Sequence, residues 1–518
     1  MIMKKVLLML VAFLAAVNVS AEDWKEGTFT PVNDASKLGG LKTVVTSDGD
    51  VYASSTYNQQ FTFAGANIQA PLGVSACIVK YDKDANEKWA VALVGGSAKV
   101  RTMAVDADGT LYAAGTFEDL QLDCYGTNNA EAVTISGDAT GMAKTAFVVK
   151  ITKEGVVSAA KAINPSAPEF PEGYEDQFMI DYGVVPNKIA VEGDKVYVSA
   201  TFQGDVTELG WQGSYLDYGI FDMYTYGGNR SDGVFSLNKS NLSAPASVLT
   251  VQHTGRLITP YVDIQSRCDA FSIVTSGGKV YATFIGSGNL TMTTPTASKD
   301  LEFAVTDYES EIKEHGMVFV DPSYVANPVI YHSAASGLYF DPDCISIMGE
   351  VQNSKVYLAG TFLGEFPLDK TVSTTTNTAF AACLKLSNAE KIWTWVNDKE
   401  EGSCGRGLVV TGEEVTVCTE ANLYQLKSSD GTFKQALGMV VADGAQADDK
   451  YVAVILGDKE GKVHLMIQEI NPSGIEATKA AAKNGAAKYY NINGVELSAP
   501  QKGLNIVKTA DGTTKVVM

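Results

Sequence analysis

A sequence motif that recurs along the chain constrains its fold more than any other feature. Each copy is a short apolar strand, a turn rich in Gly, Asp or Asn, and a second strand that carries Val-Tyr or Leu-Tyr and ends in Thr-Phe or Thr-Tyr. The copies are Val44–Tyr57, Met103–Phe117, Ile189–Phe202, Ile273–Phe284 and Val351–Phe362. A unit used many times predicts an array of repeats rather than one irregular domain.

Each unit extends into four predicted strands. A polar, Gly-rich insert of variable length follows the Thr-aromatic pair, a third strand follows the insert, and a fourth usually follows a turn of Lys, Asn, Asp or Gly. Four antiparallel strands joined by turns are typical of a β-propeller blade. A string of β-sandwich domains is the competing architecture, but such domains need about 100 residues each. The smallest complete unit has only about 60 residues, which favours a propeller.

Two shorter units, beginning at Gly407 and Tyr451, continue the series. We therefore expect an all-β fold with a single β-propeller of about seven four-stranded antiparallel blades, or about six if one unit is degenerate, plus a small C-terminal β-appendage. The last unit is a strand short. We expect Trp24–Pro31 to supply that strand and close the ring, which removes exposed sheet edges.

The repeats resemble the bacterial secreted β-propeller repeat family, whose units read D-x-x-G-N-x-Y-V-x-G-x-F and then D-A-F-V-A-K followed by Gly and Trp. The best copies are Val105–Phe117 with Ala146–Gly155, and Ala76–Trp89. The resemblance extends from Val44 to about Ile470 and weakens in the last two units, which lack the Tyr and the Thr-Phe. It implies the same propeller fold.

The N-terminus has the pattern of a secretory signal. Lys4 and Lys5 give it a positive start, Val6–Val17 is an apolar run, and Val19–Ala21 is a small-residue cleavage site. The run is shorter than the roughly 20 apolar residues that cross a bilayer, and no later stretch meets that requirement. We expect a signal peptide over 1–21 and no membrane span in the mature protein.

The chain changes character after the propeller, which we expect to occupy 22–474. An Ala/Lys linker is expected over 475–487, and three short strands joined by Gly-containing turns over 488–518. The segments Tyr489–Leu497 and Lys502–Lys508, with the closing Asp-Gly-Thr hairpin, resemble the short form of the type IX secretion sorting domain of Bacteroidetes-type bacteria. This resemblance implies a Gram-negative origin and a location that is secreted, at the cell surface or periplasmic.

Composition narrows the class of partner. The chain has 60 acidic and 40 basic residues and a formal net charge of −20, which repels phosphate backbones and excludes nucleic acid. Solubility explains the charge, and an affinity for cations or neutral glycans is the alternative. The seven cysteines show no tight spacing, so neither a disulfide framework nor a zinc site is predicted. Cys77 and Cys383 are expected at the same repeat position, which Phe147 fills in another copy, and a position that takes Cys or Phe is expected to be buried. We expect a monomer whose partner is an extracellular glycan or protein.

No catalytic or metal-binding residue is predicted. The histidines His253, His315, His332 and His464 are scattered, without the spacing of metal ligands, and no nucleophile elbow or phosphate-binding loop is present in the sequence. Asp82–Asn86 begins like a calcium loop but lacks the central Gly and the closing acidic ligand, which favours a hairpin turn. We therefore expect no cofactor, with calcium as an alternative that no motif supports.

The inserts between the second and third strands are the best candidates for a binding site. In a propeller they share a face, here named the insert-bearing face, with the links between blades. Aromatic rings beside carboxylates and Arg suit sugars, whose C–H faces stack on aromatics. The residues at which we expect ligand binding are Trp211, Tyr215, Asp217, Tyr218, Asp222, Tyr224, Arg230, Tyr261, Arg267 and Tyr339. The alternative is that these aromatics pack the inserts onto the ring.

Three functions fit the sequence. The leading hypothesis is an exported, non-enzymatic propeller that binds a glycan, peptide or protein partner through the insert-bearing face. A propeller-type polysaccharide hydrolase or lyase is the second, which a central cluster of carboxylates with a His or Arg would favour. A structural component of the cell envelope is the third, which predicts no concave polar pocket.

Overall fold

The structure is a computed structural model that describes residues 25–28, 41–57, 61–63, 66–68, 74–127, 131–166, 183–215, 228–229, 231–253, 267–304, 314–334, 347–398, 402–405, 407–410, 412, 414–419, 422–438, 441–447, 451–457, 463–469, 488–490, 496–497, 504–509 and 512–517. Regular structure in this part of the chain is almost entirely β-strand, with two short 3-10 turns, Thr207–Leu209 and Pro322–Tyr324. It contains no helix of the length and hydrophobicity that a membrane crossing requires.

The strands are numbered in chain order. The first half of the chain contains β1 (Lys25–Thr28), β2 (Lys42–Val45), β3 (Val51–Tyr57), β4 (Phe61–Phe63), β5 (Ala66–Ile68), β6 (Ser75–Tyr81), β7 (Glu87–Val94), β8 (Lys99–Val105), β9 (Leu111–Phe117), β10 (Gln121–Tyr125), β11 (Val133–Ser136), β12 (Thr145–Ile151), β13 (Val157–Ile163), β14 (Gly183–Glu192), β15 (Lys195–Gln203), β16 (Ser214–Tyr215), β17 (Gly228–Asn229), β18 (Ser231–Asn238) and β19 (Ala246–His253).

The second half contains β20 (Arg267–Ser276), β21 (Lys279–Ser287), β22 (Asn289–Thr293), β23 (Ser298–Glu302), β24 (Glu314–Val320), β25 (Val329–Ala334), β26 (Ile347–Gln352), β27 (Lys355–Phe366), β28 (Asp369–Lys385), β29 (Lys391–Val396), β30 (Gly407–Val410), β31 (Glu414–Cys418), β32 (Asn422–Lys427), β33 (Phe433–Gly438), β34 (Val441–Ala447), β35 (Tyr451–Gly457), β36 (Val463–Glu469), β37 (Lys488–Tyr490), β38 (Glu496–Leu497), β39 (Leu504–Thr509) and β40 (Gly512–Val517).

Seven antiparallel blades of four strands form a ring, so the chain is a seven-bladed β-propeller, as the sequence predicts. The blades are numbered 1 to 7 in chain order. From the centre outwards, they are β2-β3-β6-β7, β8-β9-β12-β13, β14-β15-β18-β19, β20-β21-β24-β25, β26-β27-β28-β29, β30-β31-β32-β33 and β34-β35-β36-β1. The innermost strands of consecutive blades contact one another around the whole ring, from β2 through to β34 and back to β2.

The N-terminal strand closes the ring, and the expectation for this segment is confirmed. Strand β1 pairs antiparallel with β36, from Lys25 opposite Ile467 to Thr28 opposite His464. The last blade therefore takes three strands from the C-terminal end of the propeller and its outermost strand from the other end of the chain.

The residues that recur in the repeat form contacts between blades. The hydroxyl of the buried Tyr52 donates to the carbonyl oxygen of Gly109 in the next blade at 2.7 Å. The indole N–H of Trp89 donates to the carbonyl oxygen of Lys153 at 2.9 Å, and that of Trp393 donates to the carbonyl oxygen of Ser428 at 3.0 Å. Buried Tyr and Trp need hydrogen-bond partners for their polar ends. At these three positions, the partner is a carbonyl oxygen in a turn of the next blade.

The turn at Asp82–Asn86 is a hairpin turn between β6 and β7, as predicted. The side chain of Asp82 accepts hydrogen bonds from the backbone N–H groups of Asp84 and Asn86, at 3.0 and 2.9 Å. Partial burial opposes ionisation, but hydrogen bonds from Lys88 and Asn86 outweigh it and lower the pKa of the Asp82 carboxyl to about 2. The carboxylate is therefore engaged by its own turn.

The C-terminal segment forms a separate antiparallel sheet in the order β38-β37-β39-β40. The sequence predicts three strands here and the structure has four. The expected first strand is divided into β37 and β38, which pair antiparallel through Tyr489 and Leu497, so the chain reverses direction between them.

Candidate functional site

Two inserts on the insert-bearing face return to the blade before their own. The hairpin β10–β11 leaves blade 2 and pairs with β7, the outermost strand of blade 1, with Asp123 opposite Val94. The hairpin β22–β23 leaves blade 4 and pairs in the same way with β19 of blade 3. These inserts extend the neighbouring sheets to six strands, so their first role is to join adjacent blades.

Trp211 was expected to be exposed for ligand binding, and this expectation is wrong. The side chain is only 3% exposed, and its ring lies 4.7 Å from that of Phe202 and 6.0 Å from that of Phe235, centroid to centroid. Its indole N–H donates to the hydroxyl of Ser247 at 2.9 Å. A Cβ on Gly233 would lie 2.7 Å from the indole, so the ring occupies the space above a glycine. Trp211 therefore packs its insert onto blade 3.

Phe303 anchors the insert of blade 4 by the same means. Its side chain is buried, and a Cβ built on Gly316 or on Gly286 would lie 2.6 or 3.0 Å from its ring. The alternative stated for the insert aromatics, packing against the ring, is thus the arrangement found at both of these positions.

Of the other predicted site residues, two have a described backbone only, and the rest lie outside the described residues. The backbones of Tyr215 and Arg267 lie in β16 and β20, and their side chains are outside the described structure. The remaining residues also lie outside the described ranges: Asp217, Tyr218, Asp222, Tyr224, Arg230, Tyr261 and Tyr339.

Two histidines make ordinary strand contacts. Burial lowers the pKa of His315 to about 4, so its ring is neutral at physiological pH. His332 Nδ1 lies 2.9 Å from Glu314 Oε1 on the neighbouring strand. Among the described residues, no group of three or more His, Cys, Asp or Glu side chains has an arrangement suited to a metal ion.

One set of backbone irregularities lies where inner strands begin, at the insert-bearing mouth of the central channel, and another lies between the third and fourth strands of blades 1, 2, 3, 5 and 6. The register of the inner strand shifts near Arg101 in β8, near Asn187 in β14, between Asp269 and Ser272 in β20, and between Val441 and Asp443 in β34. A β-bulge turns a side chain away from the regular alternation, and bulges are common next to binding sites.

Three cations lie together at this mouth. Lys42 and Lys99 open the inner strands of blades 1 and 2, and Arg101 is at the bulge of β8. Burial, followed by the charges of Arg101 and Lys42, lowers the pKa of the Lys99 ammonium. The guanidinium Nε of Arg101 donates to the carbonyl oxygen of Pro186 in blade 3 at 3.0 Å, which fixes its orientation.

An ion pair spans the channel below the mouth. Lys188 Nζ on the inner strand of blade 3 lies 2.7 Å from Glu350 Oε1 on the inner strand of blade 5. Blade 4 lies between these two blades in the ring, so the two side chains meet in front of its inner strand. Both side chains are only half-buried. The channel is therefore crossed by side chains between its two ends.

Exposed apolar side chains lie on the blade 2 insert, on the same face of the ring. Leu120 is 60% exposed and Met142 is 71% exposed, at the two ends of the blade 2 insert. A Cβ on Gly141 would lie 3.5 Å from Leu120 Cδ2, so the two segments are in contact. The carbonyl of Val74, also exposed, accepts a hydrogen bond from the N–H of Ala98, the residue before Lys99, at 2.9 Å.

The sequence interpretation gave weight to aromatic residues and missed the cations. A signal for them was present: a basic residue opens the first strand in both of the first two units, at Lys42 and at Lys99. Comparison with models of known protein families finds no match, and comparison with curated proteins finds no relative.

Proposed function

We propose that this protein is an exported, non-enzymatic β-propeller that binds an extracellular glycan, peptide or protein partner through its insert-bearing face, as a monomer. The observation that carries the proposal is the run of bulges at one mouth of the channel, in the inner strands of blades 2, 3, 4 and 7. Irregular backbone on a rigid ring is a usual setting for binding residues.

The two faces differ in the segments that join their strands. On the opposite face, the strands are joined by tight turns whose polar groups bond to one another, as at Asp82. On the insert-bearing face, Leu120 and Met142 are exposed and Lys99 lies beside two other cations. Exposed apolar groups next to charges are typical of an interaction surface.

Binding is supported over polysaccharide hydrolysis by the chemistry of the mouth. Glycoside hydrolysis uses a pair of carboxyl groups about 5 to 10 Å apart. At blades 1 and 2, the side chains whose charges influence Lys99 are instead the cations Arg101 and Lys42.

Export is part of the proposal and is supported by the two ends of the sequence. The N-terminal signal pattern and the C-terminal segment similar to a type IX sorting domain both indicate passage out of the cytoplasm to the cell surface, the periplasm or the medium. Cell fractionation of the full chain, compared with a chain lacking 488–518, tests this part.

Glycan and peptide arrays probed with the mature protein, with and without calcium, test the binding function. We expect Met142→Glu, on the insert-bearing face, to abolish the signals. Tyr324→Glu is the matched control, because Tyr324 is 64% exposed and lies between β24 and β25 on the opposite face. Loss of binding only in the Tyr324 variant would place the ligand on the opposite face and contradict the proposal. An absence of signals on both arrays would also contradict it.

A further inference from the structure

We propose that Asn187, the bulge residue on the inner strand of blade 3, binds the ligand at the mouth of the channel, with Thr201 and Asp232 as its positioning residues. The side-chain oxygen of Asn187 would accept a hydrogen bond from a hydroxyl or an amide N–H of the ligand. This inference rests on the proposed function, because it names a binding residue on the same face and the chemical group that this residue recognises.

The three side chains form a line of hydrogen bonds across blade 3. Asn187 Nδ2 donates to Thr201 Oγ1 at 2.9 Å. Thr201 Oγ1 in turn donates to Asp232 Oδ1 at 2.6 Å, a length typical of a hydroxyl bonded to a carboxylate. The line therefore runs from the inner strand to a carboxylate on β18 that is only 2% exposed.

The polarity of this line fixes the orientation of the Asn187 amide. An ionised carboxylate only accepts hydrogen bonds, so the single hydroxyl proton of Thr201 is committed to Asp232. Thr201 therefore accepts from Asn187, which turns the amide NH2 group toward Thr201 and the oxygen Oδ1 away from it. Among the described residues, the side chain of Asn187 bonds through Nδ2 alone, and the residue is half-buried. Its Oδ1 is thus an oriented acceptor at the mouth.

The other blades show that the fold does not require the buried carboxylate. In blade 3, the repeat threonine Thr201 lies opposite Asp232. In three other blades, the repeat threonine lies opposite an alanine. These pairs are Thr56 with Ala76, Thr116 with Ala146 and Thr361 with Ala379. Burying a carboxylate costs free energy that burying a methyl group does not, so the carboxylate of blade 3 indicates a role other than packing.

The backbone on both sides of Asn187 is held in place. Asn187 is the extra residue of the bulge, between Pro186 and Lys188. The carbonyl oxygen of Pro186 accepts from Arg101 Nε of blade 2 at 3.0 Å, and the N–H of Lys188 donates to Ser199 Oγ at 3.1 Å. A bulge with a fixed backbone and an oriented side chain loses little freedom when a ligand binds, which favours a role in binding.

Titration of the glycan and peptide arrays with the mature protein and its variants tests the role of Asn187. We expect Asn187→Ala to weaken binding to the spots that the wild type recognises about three- to tenfold, the effect of losing one neutral hydrogen bond. Asn388→Ala is the matched control and should leave binding unchanged. Asn388 lies in the turn between β28 and β29 on the opposite face, where its Oδ1 accepts from the N–H of Glu390.

Substitutions of Thr201 test the positioning role. Thr201→Val keeps the shape of the side chain but removes the acceptor that orients Asn187, so we expect it to weaken binding as Asn187→Ala does and to add little in the double variant. Thr201→Ser keeps the hydroxyl and should keep the wild-type affinity. Thr291→Val is the matched control, because it removes another Thr–Asp hydrogen bond of 2.6 Å, to Asp300, on the hairpin β22–β23. Thermal melting of each variant separates a loss of stability from a loss of affinity.

Altered ligands identify the group that Asn187 recognises. The strongest array hit is remade with each hydroxyl replaced by hydrogen, one at a time, if it is a sugar, or with each backbone N–H methylated if it is a peptide. We expect one altered version to bind equally to the wild type and to Asn187→Ala, because the hydrogen bond is then missing from both complexes.

The possible results separate the two proposals. Equal affinity of the wild type and Asn187→Ala for every hit would overturn this inference, and hits that still require Met142 would leave the proposed function standing. Equal binding by Thr201→Val and Thr201→Ser would overturn the positioning role. An absence of any hit on both arrays would contradict both proposals.

Discussion

At the scale of single residues, the ring depends on glycines that let an aromatic from the previous blade pack directly on the backbone. Gly155 has a φ of +86°, and a Cβ there would lie 2.7 Å from the indole of Trp89. Gly431 repeats the arrangement beneath Trp393. The Gly and the Trp of the repeat are thus two halves of one contact between neighbouring blades.

The contact predicts different costs for two similar substitutions. Gly193 also has a positive φ, of +59°, but a Cβ there meets no atom within 4 Å. We expect Gly193→Ala to lower the free energy of unfolding by about 1 to 2 kcal/mol, the cost of a left-handed Ala. Gly155→Ala should cost roughly 1 to 3 kcal/mol more, because Trp89 must shift. Urea unfolding of both variants measures the difference, and equal costs would refute the role given to Trp89.

One residue-level prediction shows what a sequence comparison misses. The sequences around Cys77 and Cys383 are similar and predict equivalent buried positions. Both side chains are indeed buried. The strand register nevertheless pairs Cys383 with the repeat tyrosine Tyr357, and the position equivalent to Cys77 is held by Phe380, as Phe147 holds it in blade 2. Burial could be predicted from the run of apolar residues, but the position of each residue within the blade depends on its pairing with the neighbouring strand.

At the scale of elements, the strands and short turns follow from local sequence and the inserts do not. Alternating and apolar runs bounded by Gly, Asp and Asn predict the blade strands. The hairpins β10–β11 and β22–β23 pair with strands of another blade, and nothing in their own residues specifies that partner. Trp211 was therefore expected to be exposed, whereas it is buried, as is Phe303 in the insert of blade 4.

The anchoring of the blade 3 insert predicts a compensation. In blade 3, Gly233 occupies the position that Phe147 has in blade 2, and the Trp211 ring fills the space above it. We expect Trp211→Ala to lower the free energy of unfolding by about 3 to 5 kcal/mol. Gly233→Phe should destabilise the wild type, because it clashes with the indole, but should restore part of the stability of Trp211→Ala.

Thermal and urea unfolding of the single and double variants measure this coupling. Tyr324→Ala is the control for removing an exposed aromatic, and it should change stability by less than about 0.5 kcal/mol. If Gly233→Phe has the same effect in both backgrounds, the two residues do not share one space, and the anchoring role of Trp211 is wrong.

At the scale of the whole molecule, the fold could be predicted from the sequence and the site could not. The propeller follows from repetition, and even its closure could be predicted, because the last unit lacks a strand and Trp24–Pro31 is free to supply one. The cationic mouth forms because Lys42 and Lys99 belong to blades that the ring brings side by side. Their proximity depends on how the blades pack.

Ring closure by β1 makes the stability of the last blade depend on the N-terminus. Without β1, strand β36 becomes a free edge and Leu465 and Ile467, now buried, lose the strand that pairs with them. We expect a mature chain lacking residues 22–28 to melt at a lower temperature, with loss of hydrogen-exchange protection first in β34, β35 and β36, since blade opening begins where the ring is no longer clasped. Removal of 488–518 is the matched control, because β37 to β40 pair only with one another among the described strands. Equal exchange rates in β36 with and without 22–28 would show that the ring is held closed without this strand.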